Sequence, residues 1–282
     1  MRYIKMFKFD IKNGMLGNKS VFLFPVLISV ITFLEAMNRS MRVSELRTMN
    51  GIALGDYLFY LYGGMQEYVP SPTNAFIFPA IWILVFAACA FVVLNYPLKD
   101  LNGSGQYVLV KAKSRSLWWL SKCGWNVIST LFYHFLLILT MVFCCIIVNV
   151  PVSLEIHVDL IKMMFELPQG MELNEKTVLP CIVLLTPVLF SVALNLFQMQ
   201  LSFYIKPIYS YMIFLGILLS SAYFMTPYMI GNYAMPVRYH WILGSESDIF
   251  YKTGIVILAF IAIFSIIAGL VRIHDVDILA KE

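Results

Sequence analysis

Charge is what this sequence has least of. Asp, Glu, Lys and Arg make up 13% of its 282 residues, about half the share of an ordinary soluble domain. Hydrophobic side chains make up 60%, more than a soluble fold of this size can hide. A bilayer solvates such side chains, so the composition places the chain among membrane proteins. Other absences narrow the chemistry. No G-x-x-x-x-G-K-[ST] phosphate loop occurs: Gly103-Ser104-Gly105 runs into Gln106-Tyr107-Val108 without the further glycine and lysine. No H-E-x-x-H occurs, and His134, His157, His240 and His274 are scattered, so neither a metal site nor a cofactor is expected. The five cysteines, Cys89, Cys123, Cys144, Cys145 and Cys181, lie in or beside apolar runs. They read as packing residues rather than a disulfide framework. No catalytic cluster stands at one depth, so the chain is not expected to be an enzyme. No nucleic-acid partner is expected either.

What is present is a series of apolar runs. A helix crossing the hydrocarbon core needs roughly 20 mostly apolar residues. Six segments qualify: Ser20–Met37, Ala75–Tyr96, Trp125–Val150, Val178–Phe197, Ile208–Ile230 and Gly254–Val271. The expected fold is an all-α integral membrane protein with six transmembrane helices, one transmembrane domain over residues 1–282. The first run is followed by the charged stretch 38–47 and lacks a small-residue cleavage site, so it reads as a retained helix rather than a signal peptide.

Lys and Arg favour the cytoplasmic side. Arg2, Lys5, Lys8, Lys12 and Lys19 precede the first run, and Lys99, Lys111, Lys113, Arg115 and Lys122 follow the second. The loop 151–177 is acidic, with Glu155, Asp159, Glu166, Glu172 and Glu175. The pattern predicts a multi-pass protein of the cell membrane with both termini in the cytoplasm. Residues 1–19 form a separate unit. Tyr3, Ile4, Phe7, Ile11 and Met15 share one helical face and the lysines another, which suits an amphipathic helix lying in the lipid interface. Met6 and Phe9 break that pattern.

Ionisable residues are nearly missing from the runs. His134 reads as a packing residue, Glu35 as a partner for Arg39 or Arg42, and Asn126 and Asn195 as interhelical hydrogen-bond formers. This poverty counts against an ion-coupled transporter, which needs a coupling-ion site near the midplane.

The stretch 97–122 carries the clearest organisation. Asn102-Gly103-Ser104-Gly105 is a turn signal. A short apolar run 106–110 follows, then Lys111, Lys113, Arg115 and the pair Trp118-Trp119, which are expected to anchor at headgroup level. Lys122 marks the start of the third span. With Asp100, Gly103, Ser104, Leu109, Ser114, Arg115, Trp118, Trp119 and Lys122 in this order, the layout resembles permeases of the type 2 family of ATP-binding cassette (ABC) transporters. That family's glutamate-rich run is reduced here to Lys99-Asp100. The resemblance implies a short cytoplasmic coupling helix between spans 2 and 3 that docks on a separate ATPase subunit, with Tyr107, Leu109, Lys111, Lys113 and Arg115 at the contact. It also implies a second permease copy or related chain as partner, and export of a hydrophobic or amphipathic substrate such as a peptide, drug or lipid. The alternative is a non-transporting membrane scaffold or sensor.

Overall fold

Backbone N–H and C=O groups in lipid must be satisfied within their own segment, so long apolar runs become helices. The structure, a computed structural model, describes residues 2–42, 52–72, 75–103, 105–106, 109, 114–167, 176–243 and 247–275. It is mostly helical: α1 (Arg2–Asp10), α2 (Ser20–Arg42), α3 (Leu54–Tyr62), α4 (Ala80–Leu94), α5 (Tyr96–Leu101), α6 (Arg115–Ile147), α7 (Val158–Phe165), α8 (Cys181–Leu201), α9 (Pro207–Tyr223) and α10 (Tyr251–Asp275). Among the described residues five stretches are long and apolar enough to cross a membrane: α2, α4 continued through α5, α6, α8 and α10. The chain is thus consistent with a helical multi-pass membrane protein. The end of the bundle that carries α1 is called proximal below, the other distal.

Several boundaries differ from the hydropathy runs, for local reasons. The second span starts at Ala80 rather than Ala75, with Pro79 at its N-cap. The third starts at Arg115, ten residues before Trp125, because the Ser114 hydroxyl accepts the Leu117 N–H and caps a continuous helix of 33 residues. At about 1.5 Å per residue that helix is about 50 Å long. The fifth run was expected to reach Ile230, but α9 stops at Tyr223 after 17 residues. Phe224 is extended, Thr226 precedes a proline, which disfavours helix, and the Asn232 amide donates to both carbonyls at 2.8 Å. A helix of that length reaches about 26 Å, slightly under the ~30 Å of a hydrocarbon core.

The distal connections expected as plain loops hold structure. After α2 comes α3, all nine of whose residues are buried. Its N-terminus is set by Asp56, whose carboxylate accepts the Ala53 N–H at 2.9 Å and the His157 N–H at 2.7 Å and meets His157 Nδ1 at 2.8 Å. Burial pushes the Asp56 carboxyl up, and the bonds from Ala53 and His157 oppose it. Within 151–178, β1 (Glu155–His157) pairs antiparallel with β2 (Lys176–Val178), Ile156 opposite Thr177, and α7 lies between them.

One side chain ties the distal end together. Arg238 is fully buried and donates to four carbonyls: Met65 at 2.8 Å, Gln66 at 3.0 Å, Ser221 at 2.6 Å and Ala222 at 2.8 Å. It also donates to Asn232 Oδ1. Ser221 and Ala222 lie in the last turn of α9, where carbonyls lack intrahelical partners and the helix dipole favours a cation. Burial pulls the guanidinium down to about 10, with Glu67 opposing, so it stays charged at neutral pH. Around it lies the main hydrophobic cluster, drawn from α3, α4, α6, α8, α9 and residues 233–242.

Replacing Arg238 by Met strands buried carbonyls on two segments, at about 1–3 kcal/mol for each group left unsatisfied. We expect R238M to lower the thermal midpoint of the detergent-solubilised protein by several degrees, and R238K, with three donors instead of five, to recover part of it. Exposure of the buried Cys89 and Cys145 to a thiol-reactive dye reads the transition; an unchanged midpoint in R238M contradicts the assignment.

Candidate functional site: the connector and its buried ion cluster

A buried ion cluster ties the end of α5 to the start of α6. Lys122, on the second turn of α6, is 1% exposed. Its ammonium bonds the Asp10 carboxylate from α1 and lies 2.6 Å from Asp100 Oδ2 of α5. Both carboxylates are buried. Asp10 also accepts from the Ser121 hydroxyl and, at 2.9 Å, from Tyr96; Asp100 accepts the Trp118 indole N–H at 3.2 Å. The ammonium sits 4.7 Å from the Tyr96 ring centroid and 5.1 Å from that of Trp118, within cation–π range. Glycine completes the fit: a Cβ at Gly105 would overlap the Asp100 side chain, and one at Gly14 would overlap Trp125 and Tyr96.

Three segments therefore converge on one ammonium. This is the geometry in which a buried charge is tolerated, because each partner is paired and hydrogen-bonded. Lys122 was expected to mark the start of a span; it is the centre of a clamp. Trp118 and Trp119 were expected as headgroup anchors. They are 1% and 0% exposed, because α6 begins early enough to turn both rings inward. Trp119 donates to the Ile266 carbonyl at 2.9 Å, and its ring lies so close to α10 that any Cβ at Gly269 would overlap it.

Of the expected contact residues, Tyr107, Lys111 and Lys113 lie outside the described residues. Leu109 is buried in a proximal cluster with Met6, Leu101, Trp118, Trp119 and Ile273. It faces the bundle and gives the connector its footing. Arg115 reaches the last turn of α10, donating to the carbonyls of Ile273 at 3.2 Å and His274 at 2.5 Å. The end of α5 is thus held to α6 through Lys122, which also binds Asp10 of α1, and the start of α6 is held to α10 through Arg115. The α1 segment packs on the bundle through the residues that its amphipathic pattern left out. Met6, which broke the amphipathic pattern, is buried with Asp10, while Tyr3 and Ile4 are exposed. Asp10 escaped sequence reading, although one signal was available: a lone carboxylate seven residues from Tyr3, on the apolar side of a basic helix.

The other polar residues in the runs behave as expected. His134 meets Tyr62 Oη at 2.8 Å and Ser191 Oγ at 2.7 Å, all three buried. Asn195 donates to Thr130 at 2.9 Å and Asn126 to the Asn195 carbonyl at 3.3 Å. Glu35 and Arg39 form an exposed ion pair at 3.2 Å. Among the described residues no three His, Cys, Asp or Glu stand close enough to hold a metal ion. No family model, curated protein or solved structure matches this chain.

Removing one partner of such a buried cluster costs about 3–5 kcal/mol, while neutralising all of it costs far less. K122M should therefore depress the unfolding midpoint strongly, and the triple variant K122M/D10N/D100N should restore much of the loss. Additive losses in place of this rescue would show that the three groups do not act as one cluster.

Proposed function

We propose that the chain is the permease subunit of an ATP-driven ABC exporter, with α2, α4–α5, α6, α8, α9 and α10 as its six spans and both termini in the cytoplasm. A separate ATPase subunit hydrolyses the nucleotide, and a second permease, identical or related, completes the transport path. The observation that carries this reading is the mounting of the connector. A chain without a phosphate loop can be driven by ATP only through mechanical contact, and such contact needs a stiff footing. Asp100–Lys122, Leu109 and Arg115 supply one, linking the connector to a 33-residue helix that runs from one end of the bundle to the other. Force applied beside Asp100 and Leu109 is then delivered to α6 and, through Arg115, to α10. The cargo is hydrophobic or amphipathic, in keeping with apolar spans.

Orientation is tested with single cysteines at Asn102 and Tyr228, both exposed, in a variant lacking the native cysteines. An impermeant thiol reagent applied to intact cells should label Tyr228→Cys and spare Asn102→Cys; the reverse labelling overturns the topology. Coupling is tested at Tyr107, since Leu109 is committed to its own chain. A central aromatic contact contributes about 2 kcal/mol, so Y107A should weaken capture of the ATPase from detergent extract about thirtyfold and abolish export. Lys113→Ala should weaken capture only slightly and in a salt-dependent manner. Full capture and export by Y107A would remove the connector as the coupling element and favour a scaffold or sensor.

A further inference from the structure

A cavity of about 310 Å³ opens at the distal end, among the outer turns of α2, the end of α3, the turn after α7 and the stretch leading into α4. Its volume lies at the small end of ligand sites. Its walls combine two features. One is aromatic: Tyr60 and Phe165 stand with ring centroids 5.8 Å apart. The other is anionic: among the described residues, Glu35, Glu67 and Glu166 line the cavity against a single lining cation, Arg39. Arg238 lies behind the wall at Met65 and Gln66, its charge engaged by their carbonyls and those of α9.

The position of Arg39 shows what this cleft holds well. Its guanidinium lies 5.6 Å from the Tyr60 ring centroid and 3.2 Å from Glu35, whose Oε1 also accepts the Tyr60 hydroxyl at 2.9 Å. A cation is thus already seated on an aromatic face with a carboxylate at its edge, on a side chain that is half exposed and also donates to the Met164 carbonyl at 3.5 Å. Exposed pairs of this kind are weakly held. We infer that this cleft is a binding site for a hydrophobic organic cation, whose apolar body rests on Tyr60 and Phe165 and whose charge takes the place of Arg39 beside Glu35, with Glu67 and Glu166 adding to the anionic field. As the exporter's cargo such a cation rests on the reading above; its binding to the chain does not.

The test uses the full chain in nanodiscs, with empty nanodiscs as the blank, and two ions of one shape and opposite charge, tetraphenylphosphonium and tetraphenylborate. Equilibrium dialysis should show saturable retention of the cation and none of the anion. E35Q and E67Q should each weaken the cation about two- to fivefold, and R39Q should strengthen it by a similar factor. E67Q alters an exposed side chain, so its effect is not a folding defect. Equal retention of the two ions, or an R39Q variant that binds the cation no better, overturns the inference. The partner's ATP turnover is measured separately: binding without stimulation leaves the site in place and removes the cation as cargo.

Discussion

One ammonium organises the proximal end. In an apolar interior an unpaired lysine is costly, and Lys122 escapes that cost only while Asp10 and Asp100 both reach it. The requirement propagates outward. It fixes α1 against the bundle and holds the bend at Asn95 in the geometry that brings α5 beside α6. Salt screens such a pair little, because water and ions do not reach it. The junction of α1, α5 and α6 is therefore insensitive to conditions that loosen surface ion pairs such as Glu35–Arg39.

The distal end follows a different rule. There the binding groups are mainly main-chain carbonyls, and the cation is a guanidinium rather than an ammonium. The choice matches the chemistry: five donors in a planar fork can serve several acceptors at once, while an ammonium suits two carboxylates converging on a point. Between the two ends, neutral groups take over, with His134, Tyr62, Ser191, Asn195 and Thr130 bonding one another across helices. Close approach makes these contacts reachable, and Gly269 under Trp119 is the tightest case.

Hydropathy made the long helices legible, because lipid imposes one solution on any apolar run of sufficient length. It also misplaced their ends, which depend on single residues: Ser114 as a cap, Pro79 and Pro227 as interruptions. Helix α3 was missed since nine residues cannot span a bilayer, and a short apolar stretch among charges reads as loop; its burial comes from partners supplied by α2, α4, α6, α7 and α8. The Asn126–Asn195 and Glu35–Arg39 contacts were legible because an isolated polar group in or beside a span has few places to go. The ion cluster was not. Lys122 and Asp100 were each noticed as motif positions, but convergence with Asp10 across 112 residues is a property of the fold. The tryptophans were misread for a related reason: their composition signals an interface, and only the early start of α6 turns them inward.

The acceptors of Arg238 carry a consequence for how the molecule is made. Met65 lies 173 residues upstream of the arginine that satisfies its carbonyl. At a ribosomal pace of about 5–20 residues per second, that interval lasts about nine to thirty-five seconds. Throughout it, the first helices stand finished while the distal end lacks its tie, and the last turn of α9 stays open until the chain has travelled some sixteen residues further. Assembly at that end is therefore a late, single event in biosynthesis. A truncated or stalled product ending before Arg238 leaves those carbonyls without it and presents quality-control proteases with an unfinished distal end.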